Sequence, residues 1–175
     1  MGKIYLHKDM EFYNMEEMDM KEFEEAEELS KKGKNEEAEK IYLKLLKKYP
    51  NDKFILHNLG IIYYKLKKYE EAVKIWKFLI EREPNNALFN ESLGITYKSI
   101  KNLDGALYFL KKAYKLEKSA SVCLNLSLVY ETLKDYNNAL KLVEEAFRRN
   151  RDKEYKTKIE RIRKRILKIS KKRKV

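Results

Sequence analysis

Two histidines, His7 and His57, and one cysteine, Cys123, are all that this 175-residue chain offers of the side chains that most often carry nucleophilic, acid–base or metal chemistry beyond the carboxylates. They do not assemble into a site. No Cys or carboxylate stands at metal-ligand spacing from either histidine, so no metal is expected. No Ser–His or Cys–His pair has a positional rationale, and the five scattered glycines form no phosphate-cradling loop. The paired acids Glu36–Glu37 and Glu70–Glu71 have a simpler role, because each pair opens a predicted helix, where carboxylates interact favourably with the dipole. Cys123 falls on a predicted packing face and reads as a small buried hydrophobe. A single cysteine excludes a disulfide within the chain. No catalytic residue, cofactor or metal is expected, and the chain reads as a binding protein, not an enzyme.

The scaffold that would position a binding surface is written in a repeating spacing. Ala38, Ala72, Ala106 and Ala139 stand 34, 34 and 33 residues apart. Gly60, Gly94 and Ser127 keep the same step, as do Tyr63, Tyr97 and Tyr130, and Pro50 and Pro84 mark the ends of two successive units. A period near 34 residues means a helical repeat array. From Lys53 to Asn86, apolar residues recur at i, i+3, i+4 and i+7 in two stretches broken near Lys67 and Lys68, which predicts a helical hairpin. Leu56, Leu59 and Tyr63 share a face of the first helix; Ala72, Trp76 and Leu79 share a face of the second. The small residues Gly60 and Ala72 let the two helices approach closely. Pro84 ends the second helix, since it lacks an N–H and biases Glu83 away from helical geometry. One hairpin cannot bury both of its faces, so neighbouring units must stack. The pattern predicts nine helices with turns near Gly33, Lys67, Lys101 and Lys134, and buried side chains at Leu59, Tyr63, Ala72, Trp76, Leu93, Tyr97 and Ala106.

These offsets resemble the tetratricopeptide repeat family, whose unit carries an aromatic residue or Leu, then Leu-Gly, Tyr, Ala, an aromatic, a small or apolar residue and Pro. The second unit supplies Leu56, Leu59-Gly60, Tyr63, Ala72, Trp76, Leu79 and Pro84. The third supplies Leu93-Gly94, Tyr97, Ala106, Leu110 and Ala113, with Asn90 where the family prefers a large apolar residue and Lys118 in place of Pro. The fourth supplies Leu126-Ser127, Tyr130, Ala139, Val143 and Ala146, with Cys123 at the first position. In the first, Ala26, Leu29, Ala38, Tyr42, Leu45 and Pro50 fit while Glu22 and Glu25 do not, which suits an end repeat facing water. The resemblance implies an all-α fold: a right-handed superhelical array of about four helix-turn-helix repeats (19–52, 53–86, 87–119 and 120–153) with a C-terminal capping helix. An acidic, Met-rich lead-in over 1–18 precedes the repeats, and a basic helix and tail over 154–175 follow them.

The resemblance also implies where a ligand would sit. In such arrays the first helix of each hairpin lines a concave groove. The matching positions here are Phe54, His57, Asn58, Ile61 and Tyr64, then Leu88, Glu91, Ser92 and Ile95, then Leu124, Asn125 and Leu128. Asn58, Ser92 and Asn125 form a column of amide and hydroxyl groups able to hold an extended peptide by its backbone, although Asn is also simply frequent at this place in the family. The flanking apolar residues would pack between repeats if taken singly, and together make a mixed groove for an apolar or amphipathic segment. The chaperone-tail clamp of some family members needs Lys and Arg beside Asn. Here the corresponding places hold Phe23 and Glu27, then Asn58, then Leu88 and Ser92, so a C-terminal carboxylate is not the expected ligand.

Charge is distributed unevenly. Residues 1–30 carry ten acids against three bases, and residues 148–175 carry fifteen bases against three acids, while the whole chain has a formal net charge of +12. The basic end is not featureless, because Tyr155, Ile159, Ile162, Ile166 and Ile169 recur at steps of 4, 3, 4 and 3 on a helix otherwise covered by Lys and Arg. That seam predicts a helix docked on the last repeat; self-association through its distal half is a second reading, with an antiparallel or acidic partner favoured over a self-repelling parallel pair. The basic positions are Arg161, Arg163, Lys164, Arg165, Lys168, Lys171, Lys172, Arg173 and Lys174, which form either a solvated terminus or a contact for nucleic acid.

No run of 18 apolar residues, secretory core or acylation motif is present, so a soluble cytoplasmic protein without membrane contact is expected. Absent Gln with abundant Lys and Glu fits a thermophile pattern, and an AT-rich genome would also inflate Lys, Ile, Asn and Tyr. The leading expectation is a protein–protein interaction scaffold that holds a peptide or helical segment of a partner in the groove. The alternative is a nucleic-acid-associated assembly protein that contacts phosphate through the basic helix.

Overall fold

The computed structural model describes residues 16–150 and 152–171, and among these it contains nine α-helices and no strand. Residues 1–15 of the lead-in, Lys172, Arg173 and Lys174, and the side chains of Tyr155 and Lys171 lie outside the described residues. The helices are α1 (Glu17–Lys31), α2 (Asn35–Lys48), α3 (Lys53–Lys65), α4 (Tyr69–Arg82), α5 (Ala87–Ser99), α6 (Leu103–Leu116), α7 (Ala120–Thr132), α8 (Tyr136–Arg149) and α9 (Lys153–Lys171). The first eight form four antiparallel hairpins stacked in chain order.

Each hairpin turns in the same way. Gly33, Lys67, Lys101 and Lys134 all take a positive φ, at 79°, 61°, 62° and 65°. Around Lys67, the Lys68 N–H donates to the Tyr63 carbonyl at 2.8 Å and the Lys67 N–H to the Tyr64 carbonyl at 3.1 Å, a pairing repeated at the other three turns. This is the Schellman ending of a helix, which satisfies carbonyls that the helix leaves unpaired and needs one residue in the left-handed region. Glycine suits that place best, and three of the four turns nevertheless use lysine. The helices that follow start with Asn102 or Asp135 capping α6 and α8, or with the acids Glu36–Glu37 and Glu70–Glu71 in the first turns of α2 and α4. At the other connections Asp52, Asn86 and Ser119 cap α3, α5 and α7.

The core runs between the layers as a file of clusters, with Ala26, Ala38 and Tyr42 at one end, Ala72, Trp76 and Leu93 in the middle, and Ala106, Leu110, Ala139 and Val143 toward the other. Leu59, Ala72, Trp76, Leu93 and Ala106 are buried as expected. Tyr63 and Tyr97 are only half-buried. Each ring sits at the turn end of its hairpin: Lys68 lies over the Tyr63 ring, and Tyr97 stacks on Phe109 and fills the space left by Gly105. Asn90 is fully buried and donates to the carbonyls of Pro84 and Asn86 at 3.1 and 2.7 Å. It therefore ties down the α4–α5 connection where a large apolar side chain would have packed. Cys123 is buried, and burial pushes its thiol up to about 11, so it acts as a small hydrophobe.

Helix α9 lies against α8 and α7 through Ile159, Ile162 and Ile166, all buried in the same cluster as Leu124, Leu142, Val143 and Ala146. The seam predicted from the sequence is thus occupied by the chain's own core through Ile166, and only Ile169, 36% exposed, remains beyond it.

Candidate interaction face

The first helices of successive hairpins lie side by side, and hydrogen bonds between side chains or to backbone join each to the next. Lys65 Nζ on α3 donates to Ser30 of α1, 2.7 Å to Oγ and 3.3 Å to the carbonyl. Tyr64 Oη and Ser99 Oγ link α3 to α5 at 3.1 Å. Ser121 Oγ and Asn125 Nδ2 of α7 both donate to Glu91 Oε1 of α5, at 2.6 and 2.7 Å. Arg165 of α9 then grips Glu131 of α7 with two bonds, 2.8 Å from Nε and 2.6 Å from Nη2. Arg165 and Glu131 are 34 residues apart, one repeat step, so α9 takes the place that the first helix of a fifth hairpin would occupy.

Three rows of side chains on this layer differ in depth. The row of His57, Glu91 and Leu124 lies deepest, with Glu91 and Leu124 buried and His57 half-buried. The His57 ring packs edge-on to Trp76 at 5.6 Å and near Phe89 at 5.9 Å, its buried Nε2 has no hydrogen-bond partner among the described residues, and burial pulls the imidazole down to about 4. Glu91 is 8% exposed and acts as the hub between α5 and α7. Leu124 is 3% exposed and belongs to the core, not to a groove. Sequence periodicity could not separate this row from its neighbour, because adjacent positions lie about 100° apart on a helix whose two flanks are both in contact.

The second row, Asn58, Ser92 and Asn125, is half-buried. Its members are not equivalent. Asn58 makes no side-chain hydrogen bond among the described residues, whereas the Asn125 amide is engaged by Glu91. The third row carries Ile61, Ile95 and Leu128, half-buried, with Tyr64 and Phe54 half-buried beside it and Leu88 half-exposed at 50%. Phe54 leans on the cluster of the first two hairpins, with Lys53 over its ring. A hollow of about 400 Å³ lies at the α9 end of the layer, lined by Lys98, Leu128, Glu131, Thr132, Tyr136, Arg165 and Ile169. Its Lys98, Thr132 and Tyr136 were not anticipated. The one signal that could have found the hollow was the repeat step linking Glu131 to Arg165.

The cations of α9 fall into two sets. Arg165 pairs with Glu131, and Arg163 lies 3.7 Å from Glu144. Arg161, Lys164 and Lys168 are exposed and make no ion pair among the described residues. No three His, Cys, Asp or Glu side chains among the described residues gather where a metal ion could sit, and none of the described helices is long and apolar enough to cross a membrane.

Models of the tetratricopeptide repeat match residues 15–52, 41–74 and 120–153, together more than half of the chain. Among solved structures, a thermophilic TPR protein from Thermus thermophilus is similar at TM-score 0.73 and 21% identity, over 82% of this chain and 80% of that one. A crystal structure of MamA is similar at TM-score 0.66 and 22% identity, over 90% and 91%. MamA from Desulfovibrio magneticus RS-1, residue 41 to its end, is similar at TM-score 0.69 and 16% identity, over 91% and 98%. No curated protein matches the chain.

Proposed function

The chain belongs to the tetratricopeptide repeat family, and from that premise we propose that it is an interaction scaffold that holds an extended or helical segment of a protein partner along the layer of α3, α5 and α7. The observation that carries this reading is the composition of that layer. Half-exposed Leu88 and half-buried Ile61, Ile95 and Leu128 lie beside the amide of Asn58 and the hydroxyl of Ser92, neither of which is spent on a side-chain hydrogen bond among the described residues. Apolar side chains supply area, and amide and hydroxyl groups can pair with a peptide backbone. His57, Glu91 and Leu124 support this layer from below and do not contact the ligand. Binding, and no reaction, is the role assigned.

A random peptide library displayed on phage and selected on the protein tests this. Enriched peptides should lose about tenfold in affinity, about 1.4 kcal/mol, on Leu88→Ser or Asn58→Ala, with dichroism and melting unchanged. No enrichment, or enriched peptides indifferent to both substitutions, would overturn the reading.

A further inference from the structure

The two ends of the array carry opposite charge. Helix α1 holds seven acids and two bases, and α9 holds nine bases and two acids. At each end, packing sorts the charges into inner and outer sets. On α1 the inner acids are neutralised by α2: Glu22 pairs with Lys44, and Asp19 with Lys48. Outward lie Glu17, Glu24, Glu25 and Glu28, all exposed. Glu24 and Glu25 make no ion pair among the described residues, and Glu17 and Glu28 meet only Lys21 and Lys31 of their own helix. Met18, 72% exposed, stands among them. On α9 the inner cations Arg163 and Arg165 reach Glu144 and Glu131, while Arg161, Lys164 and Lys168 face outward. The spans correspond as well: Glu17 to Glu24 and Arg161 to Lys168 are each about seven residues, about 10.5 Å of helix.

We propose that the chain associates head to tail, the outward acidic face of α1 in one copy docking on the outward basic row of α9 in a second copy. Every copy carries both halves of the contact at opposite ends of one array, so a second copy is the occupant that satisfies both ends at once. Such an interface joins different surfaces and extends unless its rotation closes a ring. It does not involve the α3–α5–α7 layer. Long-range attraction between the ends speeds encounter and weakens with salt, since the screening length falls from about 10 Å at 0.1 M to about 3 Å at 1 M.

Sedimentation velocity of the whole chain tests the contact. Mass should rise with protein concentration at about 50 mM NaCl, and the association constant should fall about tenfold or more by about 0.5 M. Glu24→Lys/Glu25→Lys and Arg161→Glu/Lys164→Glu, both at exposed positions, should each be monomeric alone. An equimolar mixture should associate again, because the acidic α1 of the α9 variant meets the basic α9 of the α1 variant and the two reversed ends are complementary to each other as well. The inference is overturned if the parent is monomeric throughout, if association survives either double reversal, or if the mixture fails to pair. A parent that stays monomeric but binds duplex DNA through Arg161 and Lys164 would also overturn it, and would assign the row to phosphate.

Discussion

Gly60 on α3 lies against the indole of Trp76 on α4: a Cβ built on Gly60 would stand 2.7 Å from Cζ2 of that ring. The next hairpin repeats the relationship, with a Cβ at Gly94 falling 2.7 Å from Cγ of Leu110. In the fourth hairpin the same register holds Ser127 and the smaller Val143, both buried, and the Ser127 hydroxyl turns back to the Leu124 carbonyl at 2.7 Å. In the second and third hairpins the helices thus approach closely enough that the bulk of Trp76 and Leu110 requires glycine opposite, whereas Ala26 opposite Tyr42 and Ser127 opposite Val143 are accommodated in the first and fourth.

Gly60→Ala should therefore destabilise the protein even though Ala is the better helix former. Overpacking of this kind costs about 1–3 kcal/mol, against a propensity gain of about 1 kcal/mol. Ala72→Leu, at a fully buried crossing, should cost about 1–3 kcal/mol with no propensity offset. Urea midpoints of the two variants check this; a parent-like midpoint for Ala72→Leu would contradict the packing.

Lys101→Gly should raise stability. Lysine in the left-handed conformation costs about 1–2 kcal/mol, and glycine's extra unfolded-state entropy returns about 0.5–1 kcal/mol of that. The net expectation is a gain of up to about 1 kcal/mol, read as a higher denaturant midpoint at unchanged m-value. The exposed side chain of Lys101 forms no ion pair among the described residues that would be lost.

His57 should make stability depend on pH between 6.5 and about 4. In that window the unfolded state binds the proton and the folded state, with the ring buried, does not. Stability is therefore complete above pH 6.5 and falls as pH drops toward 4, by up to about 3 kcal/mol. Asp19, hydrogen-bonded by Lys48 and Tyr49, and Glu28, by Lys31, also sit below their ordinary values of 3.8 and 4.5, and their contributions begin to fade as pH falls below those values. His57→Phe should flatten the profile between pH 6.5 and about 4; an unchanged slope would contradict the buried neutral ring.

Ile166→Ala should cost about 2–5 kcal/mol, because Ile166 is fully buried where α9 closes the core. Lys168→Ala, two residues on and exposed, should change stability by less than about 0.5 kcal/mol. Equal melting of the two variants would mean that α9 does not dock as described.

Asn125→Ala should lower stability where Asn58→Ala does not. Removing the Asn125 amide leaves the nearly buried Glu91 carboxylate with one donor, Ser121, at a cost of about 1–3 kcal/mol. Thermal melts of the two variants separate a residue that ties α5 to α7 from one that faces outward.

The 34-residue step by itself determined the hairpins, the turn inside each of them and Gly60 and Ala72 as places of close helix approach, because a repeat array builds its core from contacts between fixed offsets in neighbouring helices. The seam of Ile159, Ile162 and Ile166 likewise named the face by which α9 docks, since a 4–3 spacing leaves one apolar stripe among charges. Tertiary structure alone decided which side chains of the layer remain available. His57 and Asn58 are neighbours in sequence, yet the ring of one packs against Trp76 and Phe89 while the amide of the other makes no side-chain hydrogen bond among the described residues. Leu124 sank into the core and Asn125 was drawn to Glu91, although both had the composition of a groove residue. Tyr63 and Tyr97 stayed half-buried because each sits at a turn, where no further repeat covers it. The clasp of Arg165 on Glu131 depends on α9 taking the slot of a missing hairpin. Such outcomes follow from the rotation between one repeat and the next, which local periodicity does not encode and which only the packed array settles.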